Sequence, residues 1–199
     1  MARTRSSTAH DKVIRSALEL FGERGIETTS MDAIAQASGV SKATIYNHWT
    51  DKEALLMEVM LYVNGIDQEP EEVDSGDVYR DLVTVLCRRP PGRLEAARNG
   101  MMPAFIAYSA VHPEFGKTWR HRVMEPLRKN LRRLLRRGME QGVLRNDLDL
   151  ELGVALLFGP MLYTHVIQKG EQASGSNIGP AVVEAFWRAH ARKSQTHHA

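Results

Sequence analysis

Apolar residues Ile14, Ala17, Leu18 and Phe21 recur at the i, i+3, i+4, i+7 spacing of one helix face. They predict an amphipathic helix over about residues 9–24, closed in the region of Gly25. Thr29 or Ser30 then caps a second helix, with Asp32 in its first turn, where the helix dipole favours a negative charge. Ala33, Ile34 and Ala37 give that helix a compact apolar side, and Ser38-Gly39 ends it. Ser41 caps a third helix over 41–48, too short to be stable alone in water. Asp51 starts a fourth, reaching about Gly65, with Leu55, Leu56, Val59 and either Tyr62 or Met60 turned inward.

Helical patterns continue near 77–88, 92–110, 113–141, 149–168 and 180–193. Between the two sets lies the stretch 66–77, with six acids, no base, and Pro70 and Gly76 as breakers. It is the best boundary in the chain. Pro90-Pro91, then Gly138 and Gly142 with the RNDLD segment, separate the later helices, and Gly179-Pro180 opens the last one. No alternating strand pattern or internal repeat is present, and only the tail KSQTHHA reads as disordered. The expected fold class is all-α: a three-helix N-terminal domain over 1–56, then a helical bundle over 57–199.

Composition adds limits to this picture. With 43% hydrophobic and 25% charged residues the chain has an ordinary globular balance. No run of about 18 apolar residues marks a membrane span, and no signal-type apolar stretch follows the basic start. The single cysteine, Cys87, excludes an internal disulfide and a multi-cysteine metal site; it falls in an apolar helix and is expected to be a buried structural thiol. These features predict a cytoplasmic protein without metal or cofactor. The net charge of +2 points only weakly to an anionic partner. Residues 1–55 carry seven bases and seven acids, so nucleic-acid binding there must rest on the placement of charges.

Placement is informative. Two short helices joined by a tight Ser-Gly-Val turn, with a longer helix before them, form a helix-turn-helix pattern. Gly39 permits the sharp turn, Ala35 permits close approach, and Ile34, Val40 and Ile45 fill the small core between the helices. In such units the second helix enters the major groove. Ile45 and Trp49, four residues apart, are expected in the core.

The segment ALELFGERGIETTSMDAIAQASGVSKATIYNHWTDKEALL, residues 17–56, resembles the DNA-binding domain of the tetracycline-repressor (TetR) family of transcriptional regulators. The later stretch from His112 to Ile167 is similar to a C-terminal effector domain found in part of that family. The resemblance implies an all-helical homodimer that represses transcription at operator DNA until an apolar small-molecule effector binds. By motif position, it implies that Lys42, Ala43 and Tyr46 face base edges and that Thr44 lies near bases or phosphate. Asn47, His48 and Lys52 fall at positions for the DNA backbone, with Thr29 and Ser30 at the start of the second helix. Lys42 suits guanine O6 or N7 and Ala43 a thymine methyl. Arg3 and Arg5 precede the first predicted helix and are candidates for an arm in the minor groove.

The resemblance also implies a ligand cavity in the second domain. Met101, Phe105 and Tyr108 repeat at i, i+4, i+7, and Phe158, Met161 and His165 at i, i+3, i+7; Trp119 and Met124 are candidates to join them. Met and aromatic side chains make adaptable apolar walls, although for each residue alone ordinary core packing is the better reading, and His165 and Tyr163 are the natural polar handles. Arg128, Arg132 and Arg136 form one i, i+4 row and Lys129, Arg133 and Arg137 the next, opposite Leu127, Leu131, Leu134 and Leu135. This row is expected to be a solvated face screened by the acidic stretch; the alternative is a second nucleic-acid surface or an acidic-ligand site. The dimer is expected on the last two helices, where Val183, Phe186 and Trp187 need cover. Two other classes stand beside the regulator. A helical enzyme lacks support, because no phosphate loop, metal motif or nucleophile motif is present. A DNA-organising protein without an effector would be separated from a regulator by its lack of a ligand response.

Overall fold

A computed structural model of the chain describes residues 2–65, 73–87, 92–166 and 178–192, without the side chains of 2–7, 93, 95, 165 and 166. The described residues form helices α1 (Ala2–Arg24), α2 (Met31–Ser38), α3 (Lys42–His48), α4 (Lys52–Asn64), α5 (Val78–Leu86), α6 (Gly92–Val111), α7 (Pro113–Trp119), α8 (Glu125–Glu140), α9 (Leu150–Val166) and α10 (Gly179–His190). One isolated antiparallel bridge joins Leu144 and Ala191. The architecture is all-α, as the periodicity predicts.

Local chemistry sets most helix starts. The side chains of Ser30, Ser41, Asp51 and Asp77 each accept a bond from the backbone N–H three residues on, opening α2, α3, α4 and α5. Such a cap is worth about 1 kcal/mol, which matters most for helices as short as α2 and α3. Gly39 ends α2 at φ +67°, a left-handed conformation that glycine adopts without penalty.

Two helices differ from their predicted extents. The first begins at Ala2, so Arg3 and Arg5 belong to α1 and do not form a separate arm. The predicted helix 113–141 is interrupted by a π-helical segment, Arg120–Met124. Pro126 lies two residues beyond it; a proline has no N–H to give and its ring crowds the carbonyl four residues back, here Arg122 within the segment, which a widened turn relieves. The expected acidic boundary lies outside the described residues over 66–72, as do Pro90, Pro91 and the tail 193–199.

The chain forms two compact units. One gathers α1 to α4 with α6 and α7; the other gathers α5 with α8, α9 and α10. This division differs from a cut at residue 56, because α6 packs on α1 and α4. In the first unit, Phe21 and Ile14 of α1, Leu55, Leu56 and Met60 of α4, and Met101 and Phe105 of α6 are buried. Met60, not the half-buried Tyr62, is the inward residue of α4, and Ala37 of α2 is exposed.

The second unit is built on Leu82, Leu131, Leu134, Leu135, Leu157, Val183 and Phe186. Val183 and Phe186 are therefore covered within the chain itself, and Trp187 meets the edge of Tyr79 at 5.3 Å. The face left open is on α9, where Leu152, Ala155, Leu156, Gly159, Pro160 and Tyr163 are exposed. Cys87 is half-buried, not enclosed. The basic row of α8 is ion-paired at Arg128, Arg132 and Arg137, the last to Asp74 of the acidic stretch as expected, while Lys129 and Arg136 are exposed. Arg128 and Arg132 reach Glu151 at 2.7 and 2.5 Å, Arg133 donates to the Val73 carbonyl at 2.8 Å, and Arg137 bonds Asp74 and Asp81.

Candidate nucleic-acid interface

Helix α3 divides into two faces. Ile45 and, just past the helix end, Trp49 are buried, at 1% and 3% exposure. Lys42, Ala43, Tyr46 and Asn47 are exposed, and their spacing of i, i+1, i+4, i+5 places them along one edge. Tyr46 leaves 49% of its surface open. Thr44 is half-buried and its hydroxyl lies 2.8 Å from that of Ser41. The edge thus offers an ammonium, a methyl, a phenol and a carboxamide to whatever faces it.

The groups around this edge are fixed by contacts that the sequence pattern does not reveal. Lys42 Nζ lies 2.7 Å from Asp32 Oδ2 of α2, a pair exposed on both sides. Trp49 donates its indole N–H to Glu58, and His10 Nε2 lies 2.7 Å from the other oxygen of that carboxylate. The His48 ring is exposed and stands edge-on to His10, with centroids 5.8 Å apart. His10 and Glu58 carry no motif of their own, and only their pairing in space shows their part in holding the end of α3.

Thr29 requires a correction. It was expected at the DNA, but its side chain is 1% exposed and its hydroxyl donates to the carbonyls of Gly25, at 2.7 Å, and Leu20, at 3.2 Å. A hydroxyl committed to closing the end of α1 is not available to a phosphate. Ser30 is exposed and caps α2. Lys52 also differs from a free surface lysine: its Nζ donates to the carbonyls of Ile26, at 2.9 Å, and Glu27, at 3.2 Å. Two of its three N–H groups fasten α4 to the α1–α2 turn, leaving a third.

The expected effector residues fall in both units. Met101, Phe105, Tyr108 and Trp119 are buried in the first, where Phe105 meets Phe115 at 5.3 Å and Trp119 at 5.4 Å, both edge-on. Trp119 Nε1 is buried without a hydrogen-bond partner among the described residues. Met124, Phe158 and Met161 are half-buried in the second unit, and the side chain of His165 lies outside the described residues. A separate groove of about 260 Å³ in the first unit is lined by Arg15, Leu18, Glu19, Tyr62 and Leu94; none of these was expected to line a pocket.

Comparison with known proteins agrees with the geometry. Residues 13–59 match the family model described as bacterial regulatory proteins, tetR family, and residues 72–177 match that of the tetracyclin repressor-like C-terminal domain. The chain belongs to the TetR family. The HTH-type transcriptional regulator YdeS of Bacillus subtilis is 30% identical to it, over 92% of this chain and 91% of YdeS. A solved TetR-family regulator from Mesorhizobium loti is 25% identical, with a TM-score of 0.61, covering 94% of this chain and 99% of its own. The flavonoid-responsive regulator FrrA shares the fold at 24% identity, with a TM-score of 0.61 over 94% of this chain and 98% of FrrA. This TetR-family chain is thus a DNA-binding, helix-turn-helix transcriptional regulator, in a family of regulators and not of enzymes. No helix among its described residues is long and apolar enough to cross a membrane.

Proposed function

We propose that the protein is a repressor that binds operator DNA as a homodimer and is released by an apolar small-molecule effector. The observation that carries the reading is the exposed edge of α3, where Lys42, Ala43, Tyr46 and Asn47 stand clear of a core anchored by Ile45 and Trp49. Residues 1–56 read the DNA, and residues 57–199 carry the effector and dimer surfaces. Lys42, Ala43 and Tyr46 meet base edges, and Ser30, Thr44, Asn47, His48 and the third N–H of Lys52 meet the backbone.

The dimer forms through the open face of α9, where Leu152, Leu156 and Tyr163 are exposed. An added Cβ at Gly159 would meet nothing within 4 Å inside the chain. Glycine weakens a helix by roughly 1 kcal/mol relative to alanine, and close approach of a second copy of α9 accounts for it there. Two-fold pairing implies a palindromic operator with half-sites about 34–36 Å apart, or a multiple of this.

The unpartnered Trp119 N–H, beside Phe105, supports an effector that is mainly aromatic or aliphatic with one hydrogen-bond acceptor. FrrA, which shares the fold, is flavonoid-responsive, and flavonoids are aromatic compounds with a carbonyl acceptor among their polar groups. The test is selection of bound duplexes from a random DNA pool, repeated with flavonoids and fatty acids present. Recovery of a palindrome that is lost in the presence of one class supports the reading. Recovery of no preferred sequence overturns it.

A further inference from the structure

The corner between α6 and α7 carries groups that neither the reading edge nor the effector proposal uses. His112 stands at this corner, half-buried, and its ring stacks on Tyr108 with centroids 3.9 Å apart and planes within 19°. Its Nε2 lies 2.8 Å from Glu27 Oε1, on the turn between α1 and α2. Its Nδ1 lies 3.8 Å from Glu53 Oε1, in the first turn of α4. The Tyr108 hydroxyl donates to that same Glu53 oxygen at 3.0 Å. Lys52 ties the start of α4 to the same turn through the Ile26 and Glu27 carbonyls. Three segments of one compact unit therefore meet at a single imidazole.

Both ring nitrogens face a carboxylate. A neutral imidazole has one N–H, so it donates to one glutamate and turns a lone pair toward the other. An imidazolium donates to Glu27 and places its charge 3.8 Å from Glu53 Oε1. We infer that His112 is a positioning residue for the DNA-reading helices: as imidazolium it clasps the α1–α2 turn and the start of α4 to the α6–α7 corner, and this makes DNA affinity depend on its protonation. The inference rests on the reading of α3 as the DNA-facing helix, but the clasp itself does not.

The titratable and charged groups around the ring are Glu27 on the α1–α2 turn, Glu53 with Asp51 and Lys52 at the start of α4, and Tyr108 on α6. Glu114, two residues along on α7, makes no side-chain bond to the ring among the described residues. Tyr108 keeps its proton throughout: burial, then the bond to Glu53 and the charges of the nearby carboxylates, push its pKa up to about 12. The charged ring closes the clasp on both glutamates, and the neutral ring loosens it. The turn it holds leads directly into Ser30 and contacts Lys52, both on the proposed phosphate side. Holding them in place before DNA arrives reduces the ordering required on binding, so affinity falls as pH rises.

The test uses the full chain and a fluorescein-labelled duplex that the wild type selects from a random pool, titrated at constant ionic strength at about pH 6 and about pH 8. The wild type should lose two- to five-fold more affinity over this interval than His112→Gln, roughly the weight of a partly exposed ion pair. Glu27→Gln should behave as His112→Gln does. Hydrogen exchange at residues 25–30 and 51–56, corrected for intrinsic rates, should rise with pH in the wild type and not in His112→Gln. Parallel pH profiles for the wild type and His112→Gln, or a ratio that runs the other way, would overturn the inference. If no duplex is selected, the DNA reading fails, and the exchange measurement alone decides the clasp.

Discussion

Trp49 donates its indole N–H to the carboxylate of Glu58, so the end of the short reading helix is tied by a polar bond as well as by packing. His10 holds the other carboxylate oxygen at 2.7 Å and lies against the Trp49 ring, with centroids 4.9 Å apart. Trp49→Phe keeps a ring and removes the donor, and should lower stability by about 1–3 kcal/mol. Trp49→Ala should cost about 3–5 kcal/mol, because it also empties the core. Chemical denaturation of the full chain separates the two.

Thr29 and Ser30 are neighbours with opposite expected behaviour. Thr29→Val leaves the Gly25 and Leu20 carbonyls without its hydroxyl. It should destabilise the fold by about 1–3 kcal/mol without weakening DNA binding. Ser30→Ala should cost about 1 kcal/mol as a lost cap, and should also weaken DNA binding, with the salt dependence unchanged because the hydroxyl is uncharged. Thermal melts with DNA-binding titrations on the same preparations check the contrast.

Asp81 carries a pH prediction. It is buried, and takes bonds from Arg137 and from the backbone N–H and hydroxyl of Ser75. Burial pushes its pKa up, but the Arg137 and Ser75 bonds and the Arg137 charge outweigh this and hold it below the usual carboxylate value. A folded pKa below the unfolded one, about 3.9, gives stability that is present above that value. It is lost as pH falls through the folded pKa. Asp81→Asn should therefore cost about 3–5 kcal/mol at neutral pH, since it leaves Arg137 short of a partner. Its deficit against the wild type should shrink below about pH 4, as read by denaturation at several pH values.

The two sides of the second unit should respond differently. Leu156→Glu places a charge on the open face of α9 and should yield a folded monomer by analytical ultracentrifugation, with half-site binding only. Phe186→Ala instead creates a cavity in the unit's own core and should cost about 3–5 kcal/mol in stability.

What could be read from the sequence was local or periodic. The caps at Ser30, Ser41 and Asp51 depend on backbone donors three residues away, and Ile45 and Trp49 on helical spacing. The face of α10 was misjudged because Val183 and Phe186 are covered by elements from elsewhere in the chain, α5 among them. Thr29 looked available because nothing near it in sequence shows that the α1 carbonyls would claim its hydroxyl. The basic row of α8 looked solvated because Arg132 meets Glu151 from another helix, and Arg137 meets Asp81 from α5. For α10 and α8 the deciding partner is distant in sequence, and for Thr29 it is a nearby carbonyl that no motif announces.

The outward edge of α3 is the central claim, and the sequence preference of variants tests it most directly. Duplexes selected from a random pool by wild type, Lys42→Ala and Tyr46→Ala should differ at specific base positions. Lys42→Ala should relax a preference worth about 1–3 kcal/mol at one position, whereas Lys52→Ala should weaken all sequences alike. Identical base preferences and unchanged affinities in all three variants would contradict the assignment of α3 as the reading helix.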